Sequence, residues 1–136
     1  TRYISVTGVQ TCALPISSNF KYKVSISGSV LGNVVPLTIS SNTASMDLSQ
    51  GNFFTLALVS GSVTHLSAST VKQGQTINLL ITQPSSGTGS VTYNSTFKFP
   101  NGASYIQTNI SNAKDILSFI TFDNSTIYAT PVNNLV

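Results

Sequence analysis

The sequence predicts an all-β fold, either an antiparallel β-sandwich or a jelly-roll-like domain. Apolar residues recur at every second position in many short runs, as at Ile77, Leu79 and Ile81, which is the period of a half-buried strand. Clusters of Gly, Pro, Asn, Asp and Ser separate these runs and indicate turns. No stretch carries the apolar period of an amphipathic helix. Many short strands joined by turns are typical of sandwiches and jelly rolls.

The first residues of the chain are expected to be a non-native leader. Val6 to Ile16 resemble the translation of a sequencing adapter, read in one frame without a gap. Residues 1–5 fit the adjoining adapter bases and a variable index. Such segments are set aside when a fold is argued. We therefore expect residues 1–16 to be adapter-derived and residues 17–136 to be a single β-sandwich domain, the C-terminal piece of a longer chain.

Charge is scarce in this sequence, at 7% of residues. Outside the leader only five lysines and three aspartates remain, and the lysines are scattered, so no nucleic-acid partner is predicted. No apolar run approaches the roughly 18 residues that a membrane-spanning helix needs, so membrane insertion is not predicted either. The only cysteine, Cys12, lies in the leader and says nothing about the redox compartment.

The predicted strands, in chain order, span residues 20–26, 34–39, 43–48, 53–59, 63–68, 74–83, 90–93, 96–99, 105–108, 115–122 and 126–130. Pro36 suits an edge position or the start of a strand. The strands at 74–83 and 115–122 are the most apolar and are expected to anchor the core. Asp123-Asn124-Ser125 predicts a tight turn between the last two strands. Pro131 is expected to end the last strand, with residues 132–136 fraying.

No constellation of catalytic residues stands out. His65 is the only histidine, and no serine lies in a Gly-x-Ser-x-Gly elbow that would mark a nucleophile. Asp47, Asp115 and Asp123 are the only acidic residues, and none forms the carboxylate pair that glycoside hydrolysis normally needs. The loop 85–90 lacks the Lys and the following helix of a phosphate-binding loop and is predicted to be a hairpin loop. We therefore predict a protein that is not an enzyme.

Metal and cofactor sites are not predicted. Asp115 opens a strand and Asp123 follows the same strand, so the two carboxylates lie too far apart to share a metal ion. Capping of a turn is the interpretation favoured for Asp123, with a surface ion as the alternative.

Several sequence blocks resemble a known family. Gly74-Gln75-Thr76 leads to Ile81-Thr82-Gln83, then to Phe99-Pro100-Asn101-Gly102, and then to the run from Ala113 to Phe119. This order is similar to the C-terminal β domain of bacteriophage tail-fibre-like and other virion structural proteins. There, a Gly-Gln-Thr…Ile-x-Gln strand, a Phe/Trp-Pro-x-Gly loop and an Ala-x-Asp-Ile/Leu-x-x-Phe strand recur. Phe99 stands where tryptophan is frequent, and the motifs carry no catalytic residue.

The resemblance implies a virion structural protein, a tail fibre or a head/tail appendage, that acts in assembly and contacts a glycan or protein on the host surface. The alternative is a secreted, extracellular bacterial adhesin or carbohydrate-binding module. The strands at 53–59 and 116–122 are apolar on both faces, which predicts that another copy of the chain covers part of the surface. The resemblance favours a homotrimer, and a monomeric sandwich is the alternative.

Overall fold

A computed structural model describes residues 27–135, and all of its strands lie in the compact unit Leu31–Val136. The expected leader at 1–16 and the predicted strand at 20–26 lie outside the described residues. Within them the elements are β1 (Val34–Pro36), β2 (Thr43–Asp47), β3 (Phe53–Ala57), β4 (Val63–Ser69), β5 (Thr76–Thr82), β6 (Ser90–Tyr93), β7 (Phe97–Lys98), a 3-10 turn (Pro100–Gly102), β8 (Lys114–Ile120) and β9 (Ile127–Leu135).

The strands form two sheets, a large sheet with the order β1-β3-β5-β8-β9-β7 and a small sheet with the order β2-β4-β6. From β1 to β6 the chain alternates between the two sheets, and strands that neighbour each other within a sheet are parallel. Val34 pairs with Phe53, and Phe53 pairs in turn with Asn78. The chain therefore winds as a flattened coil that adds one strand to each sheet per turn.

The coil gives way to antiparallel pairing after β6. Strand β8 runs antiparallel to β5, with Leu79 opposite Leu117, and β9 runs antiparallel to β8. Strands β5 and β8 thus lie in the middle of the large sheet, with a paired strand on each side. The prediction that these two strands anchor the core is confirmed, because Leu79, Leu117 and Phe119 are completely buried.

The hydrophobic core lies between the two sheets. Alternating residues of each strand point into it, and both sheets contribute to one buried cluster. The small sheet supplies Met46, Leu66 and Val91, and the large sheet supplies most of the rest. The fully buried members of the large sheet are Phe54, Leu56, Ile77, Leu79, Ile81, Leu117, Phe119 and Ile127.

The all-β prediction is confirmed, but the antiparallel arrangement is not. Within residues 27–135, five of the seven strand pairings are parallel and the two on either side of β8 are antiparallel. The reason is that the alternation of apolar residues determines which side chains face the core, but it does not determine which strands pair with each other. Turn residues are equally ambiguous: Gly61, at φ 70°, helps the chain leave β3 and enter β4 in the other sheet instead of closing a hairpin.

Two local predictions are wrong for an identifiable physical reason. Residues 105–108 form no strand, because the backbone groups of Thr108 bond to the side chains of Gln83 and Asp115 and not to the backbone of a neighbouring strand. Strand β9 does not end at Pro131 but continues to Leu135. Pro131 pairs opposite Leu117, beside an irregularity in the β8–β9 register, which is the kind of place where a strand tolerates proline.

We predict that Leu79→Ala and Phe119→Ala will each lower the free energy of unfolding by about 2–5 kcal/mol, because each leaves a cavity in a closed core. Leu80→Ala is the matched control, since Leu80 is the next residue of the same strand but is only half-buried on its outer face. It should cost clearly less. Urea denaturation of the three variants checks this. Costs under about 1 kcal/mol for Leu79→Ala or Phe119→Ala would contradict a central position of these strands.

Candidate functional site

Asp115 is a buried carboxylate, 2% exposed, at the start of β8. One of its oxygens accepts hydrogen bonds from the Tyr105 hydroxyl at 2.5 Å and the Thr108 amide at 2.6 Å. The other oxygen accepts from the Thr108 hydroxyl at 2.7 Å and the Asn134 amide at 2.8 Å. All these donors are neutral. Through these hydrogen bonds the carboxylate connects the loop before β8 to the end of β9.

The hydrogen bonds decide the protonation state of this group. Burial alone would raise the pKa of Asp115, but the bonds from Tyr105, Thr108 and Asn134 outweigh it and hold the pKa below its ordinary value. Burial, followed by the hydrogen bond to Asp115, raises the pKa of Tyr105. At neutral pH the pair is therefore a neutral phenol that donates to a charged carboxylate, which is a structural pairing.

A second buried polar group sits where β5 leaves the large sheet. The Gln83 side chain accepts from the Gly89 amide at 2.9 Å and donates to the carbonyls of Gly89 and Thr108, at 3.0 and 2.7 Å. Gln107 accepts from the Val91 amide at 3.2 Å. A Cβ at Gly89 would lie only 2.5 Å from the Val59 carbonyl, so glycine is needed there. The loop 85–90 is thus a corner between two sheets, held by glutamine side chains, and the prediction of a hairpin loop there is wrong because β5 and β6 belong to different sheets.

Polar contacts also hold the corner that precedes β5, and these are partly buried or exposed. The Thr121 hydroxyl donates to the Lys72 carbonyl at 2.5 Å and accepts from the Gln75 amide at 2.9 Å. The Gln75 side chain donates to the Leu48 carbonyl at 3.1 Å and accepts from the Lys72 amide at 2.8 Å. The glutamine of the Gly-Gln-Thr motif therefore forms hydrogen bonds with the backbone of neighbouring loops.

The aromatic residues around the Phe-Pro-x-Gly loop pack against one another. Tyr93 contacts Phe97 and Phe99 edge-on, with ring centroids 5.5 and 4.7 Å apart, and Phe99 stacks on Tyr105 at 6.2 Å. Burial raises the pKa of Tyr93, whose hydroxyl has no hydrogen-bond partner within residues 27–135. Phe99 thus packs at the position where the resembling family often has tryptophan.

Sequence reasoning missed the buried polar residues, although the alternation contains a signal for them. Gln83 continues the inward phase of Ile77, Leu79 and Ile81, and Asp115 occupies the inward phase of the predicted strand 115–122. A polar residue at an inward position must find hydrogen-bond partners, because burial without them is costly. Read in this way, the pattern indicates structural hydrogen bonding at both positions.

The acidic residues outside the core cap turns. Asp123 accepts from the amides of Ser125 and Thr126 at 2.7 and 2.6 Å, which confirms its predicted role as a turn cap. Asp47 accepts from Ser49 and from the Thr70 hydroxyl, and these bonds lower its pKa to about 2. In the part of the chain that the structure describes, no three His, Cys, Asp or Glu residues lie close enough together to hold a metal ion.

His65 lies on the outer face of the small sheet, exposed to solvent. Its Nδ1 lies 2.6 Å from the Thr92 hydroxyl, and the two residues are in register with Thr43 on the adjacent strands. This cross-strand row borders a cavity of about 180 Å³ that Ser67 and Asn94 also line. The ring is therefore held by a hydroxyl, whereas a catalytic triad would place a carboxylate beside it.

The outer faces of the two sheets differ in chemistry. On the small sheet, outward residues are mainly Ser and Thr around His65. On the large sheet an apolar band of Leu80, Ile116 and Val132 forms one register row, and the adjacent row is polar, with Asn78, Ser118 and Thr130. A cavity of about 400 Å³ opens on this band, lined by Val34, Phe53, Phe54, Thr55, Asn78, Leu80 and Ile116.

Comparison of this chain with protein families, curated proteins and solved structures gives no match. Over residues 27–135 the structure contains no helix with the length and apolar character needed to cross a membrane. The contacts and the chemistry of the surfaces are therefore what a functional proposal must rest on.

We predict that Asp115→Asn will destabilise the protein by about 2–5 kcal/mol, because the amide nitrogen cannot accept and leaves buried donors without a partner. The wild-type contribution of Asp115 is present above the ordinary pKa of 3.8 that holds in the unfolded chain, and it is lost as the pH falls below that value through the lower folded pKa. Thermal unfolding across this range should show a weaker acid dependence in Asp115→Asn.

Asp123→Asn is the control for this experiment, since the Asp123 carboxylate caps a surface turn. It should destabilise the protein less than Asp115→Asn does. Equal stability of Asp115→Asn and the wild type at neutral pH would contradict the role given to the buried carboxylate.

Proposed function

We propose that this chain is a structural domain of a bacteriophage virion, from a tail fibre or a head/tail appendage, that acts through assembly and host-surface contact. The protein would then be located in the virion. The observation that carries the proposal is the apolar outer face of the large sheet. The order of the sequence motifs, which resembles that of tail-fibre-like proteins, supports the same assignment.

The apolar face supports assembly because large side chains remain partly exposed on it. Phe53 is 41% exposed, Ile120 45% and Val132 51%, although all three belong to regular strands of the large sheet. Exposed apolar side chains grouped on one face are typical of interaction sites on soluble proteins. A second copy of the chain would remove these side chains from water.

Charge on this face favours a second copy as the occupant. Among the outward positions of the six strands of the large sheet, Lys98 and Lys114 are the only charged residues. Identical faces can therefore approach each other across a symmetry axis with little repulsion. The exposed aromatic pair of Phe122 and Tyr128, 6.0 Å apart between ring centroids, extends the face at its edge.

The size of the face suits a modest interface. Five strands of three to nine residues, spaced by about 4.8 Å and with about 3.3 Å per residue, cover about 500 Å². Where each copy turns this face toward a threefold axis, it would bury at most about 500 Å², about what one partner contributes to an interface at the lower limit of specific ones. We propose a homotrimer, following the family resemblance, in which this contact adds to contacts made elsewhere in the assembly.

The buried polar network supports a structural role rather than catalysis. Gln75, Gln83 and Asp115 are polar residues of the resembling motifs, and each hydrogen-bonds to loops or strand ends. The motif residues thus serve to hold the fold. The proposal accordingly assigns the chain no enzymatic activity, no cofactor, no nucleic-acid partner and no membrane insertion.

A secreted bacterial adhesin or carbohydrate-binding module is the second candidate function. The hydroxyl-rich outer face of the small sheet favours it, because such a face suits ligand binding at a cell surface. Genes beside this one separate the two candidates. Portal, capsid or tail genes on the same contig favour the virion, whereas secretion genes favour the adhesin.

We predict that the whole chain will associate at high micromolar concentration in sedimentation velocity, and that Phe53→Ser combined with Ile120→Ser will return it to a monomer. Both side chains are partly exposed, so their replacement should leave the fold intact. Val63→Ser is the matched control, since Val63 is 43% exposed on the small sheet. A wild-type chain that stays monomeric, or a control that dissociates equally, would contradict assembly through the large sheet.

A further inference from the structure

We infer that the outer face of the small sheet binds a neutral saccharide, with His65 and Thr92 at the centre of the site. This inference rests on the proposed contact with a host surface and names the chemistry of the ligand. It places the ligand on the sheet opposite the assembly face. The two activities would therefore occupy separate surfaces of one domain.

The first argument is the density of hydrogen-bonding groups on this face. Thr43, His65 and Thr92 form one row across three parallel strands, and Ser45 pairs with Ser67 in the next row. Neighbouring strands lie about 4.8 Å apart, so each row presents polar groups at regular intervals. A saccharide offers hydroxyls that both donate and accept along its length, which is the complement of such rows.

The second argument is the absence of free charge. The strands β2, β4 and β6 contain no Lys or Arg, so this face offers no cation to a sialic acid, uronic acid or phosphate. Its single carboxylate, Asp47, already accepts hydrogen bonds from Ser49 and Thr70. A neutral ligand therefore matches this face better than an anionic or cationic one.

The third argument is the position of the His65 ring. The contact of its Nδ1 with the Thr92 hydroxyl, at 2.6 Å, fixes the ring beside the cavity of about 180 Å³. Nε2 is then the ring atom that a ligand hydroxyl can reach. The cavity is smaller than the roughly 300–1,000 Å³ typical of pockets for drug-sized ligands. It suits one sugar ring, with the remainder of the saccharide lying along the face.

A protein partner fits this face poorly. Protein interfaces are enriched in aromatic residues, Met and Arg and depleted in Ser, whereas this face displays Ser45, Ser67, Ser69 and Ser90. Val63 is its one large hydrophobic residue that is clearly exposed, at 43%. The exposed apolar side chains that suit a protein contact lie on the large sheet instead.

The test is binding of the whole chain to immobilised maltohexaose, cellohexaose and N-acetylchitohexaose, with oligogalacturonate as an acidic comparison. We expect saturable binding to at least one neutral oligosaccharide. His65→Ala and Thr92→Val should each weaken it by about fivefold or more, as the loss of one or two hydrogen bonds does. Thr130→Val is the matched control, because it removes an exposed hydroxyl from the large sheet and should leave affinity unchanged.

The single histidine provides a second readout that is independent of affinity. Its ring resonances in the NMR spectrum should shift on addition of the bound oligosaccharide, and the spectra of the variants show whether they remain folded. Binding that survives both substitutions, preference for oligogalacturonate, or no binding to any of the four would each overturn the inference. None of these outcomes bears on sedimentation of the large-sheet variants, so assembly and saccharide binding can fail separately.

Discussion

The buried carboxylate of Asp115 is the interaction on which the rest of this fold depends. It lies at the junction of three segments: the irregular stretch that carries Tyr105 and Thr108, the start of β8, and the end of β9 near Asn134. Strand β8 is the point at which the parallel coil stops and antiparallel pairing begins. Without a fixed start for β8, neither the closing hairpin nor the centre of the large sheet has a defined position.

Side chains also provide the hydrogen bonds that the backbone needs at the corners of the coil. A chain that changes sheets after every strand leaves backbone groups at each corner that no neighbouring strand can satisfy. Gln75, Gln83 and Thr121 supply those hydrogen bonds from side chains. A protein with few charged residues thus uses amides and hydroxyls to stabilise its interior, and the outer faces of its sheets remain free for contacts with other molecules.

The sequence predicts the elements of this fold better than their pairing. The alternation at Ile77, Leu79 and Ile81 places β5 and its buried face correctly, and the Asp123 turn identifies the β8–β9 hairpin. The parallel coil is not predicted, because a turn into the facing sheet and a hairpin turn use the same residues. The sequence predicts which residues point outward on each sheet. It does not predict which of them lie next to each other, because that depends on the register between strands.

For the candidate site too, the sequence predicts single residues but not which residues lie beside them. The sequence singles out His65 as the one histidine and gives no reason to place Thr43 and Thr92 beside it, since these residues meet only through parallel pairing. Similarly, Asp115 is predicted to lie at the beginning of a strand, but its burial and its four neutral donors come from segments that are distant in sequence or irregular. Long-range register is the information that local periodicity lacks.

Native-state hydrogen exchange at the Thr108 amide tests the central role of Asp115 most directly. Thr108 belongs to no strand, so by secondary structure alone its amide should exchange as quickly as those of surface loops. We predict that it exchanges nearly as slowly as the Leu79 amide in the central strand, because it donates to a buried carboxylate at 2.6 Å. Exchange at the rate of the exposed residue Ile110 would contradict the claim that Asp115 holds the fold together.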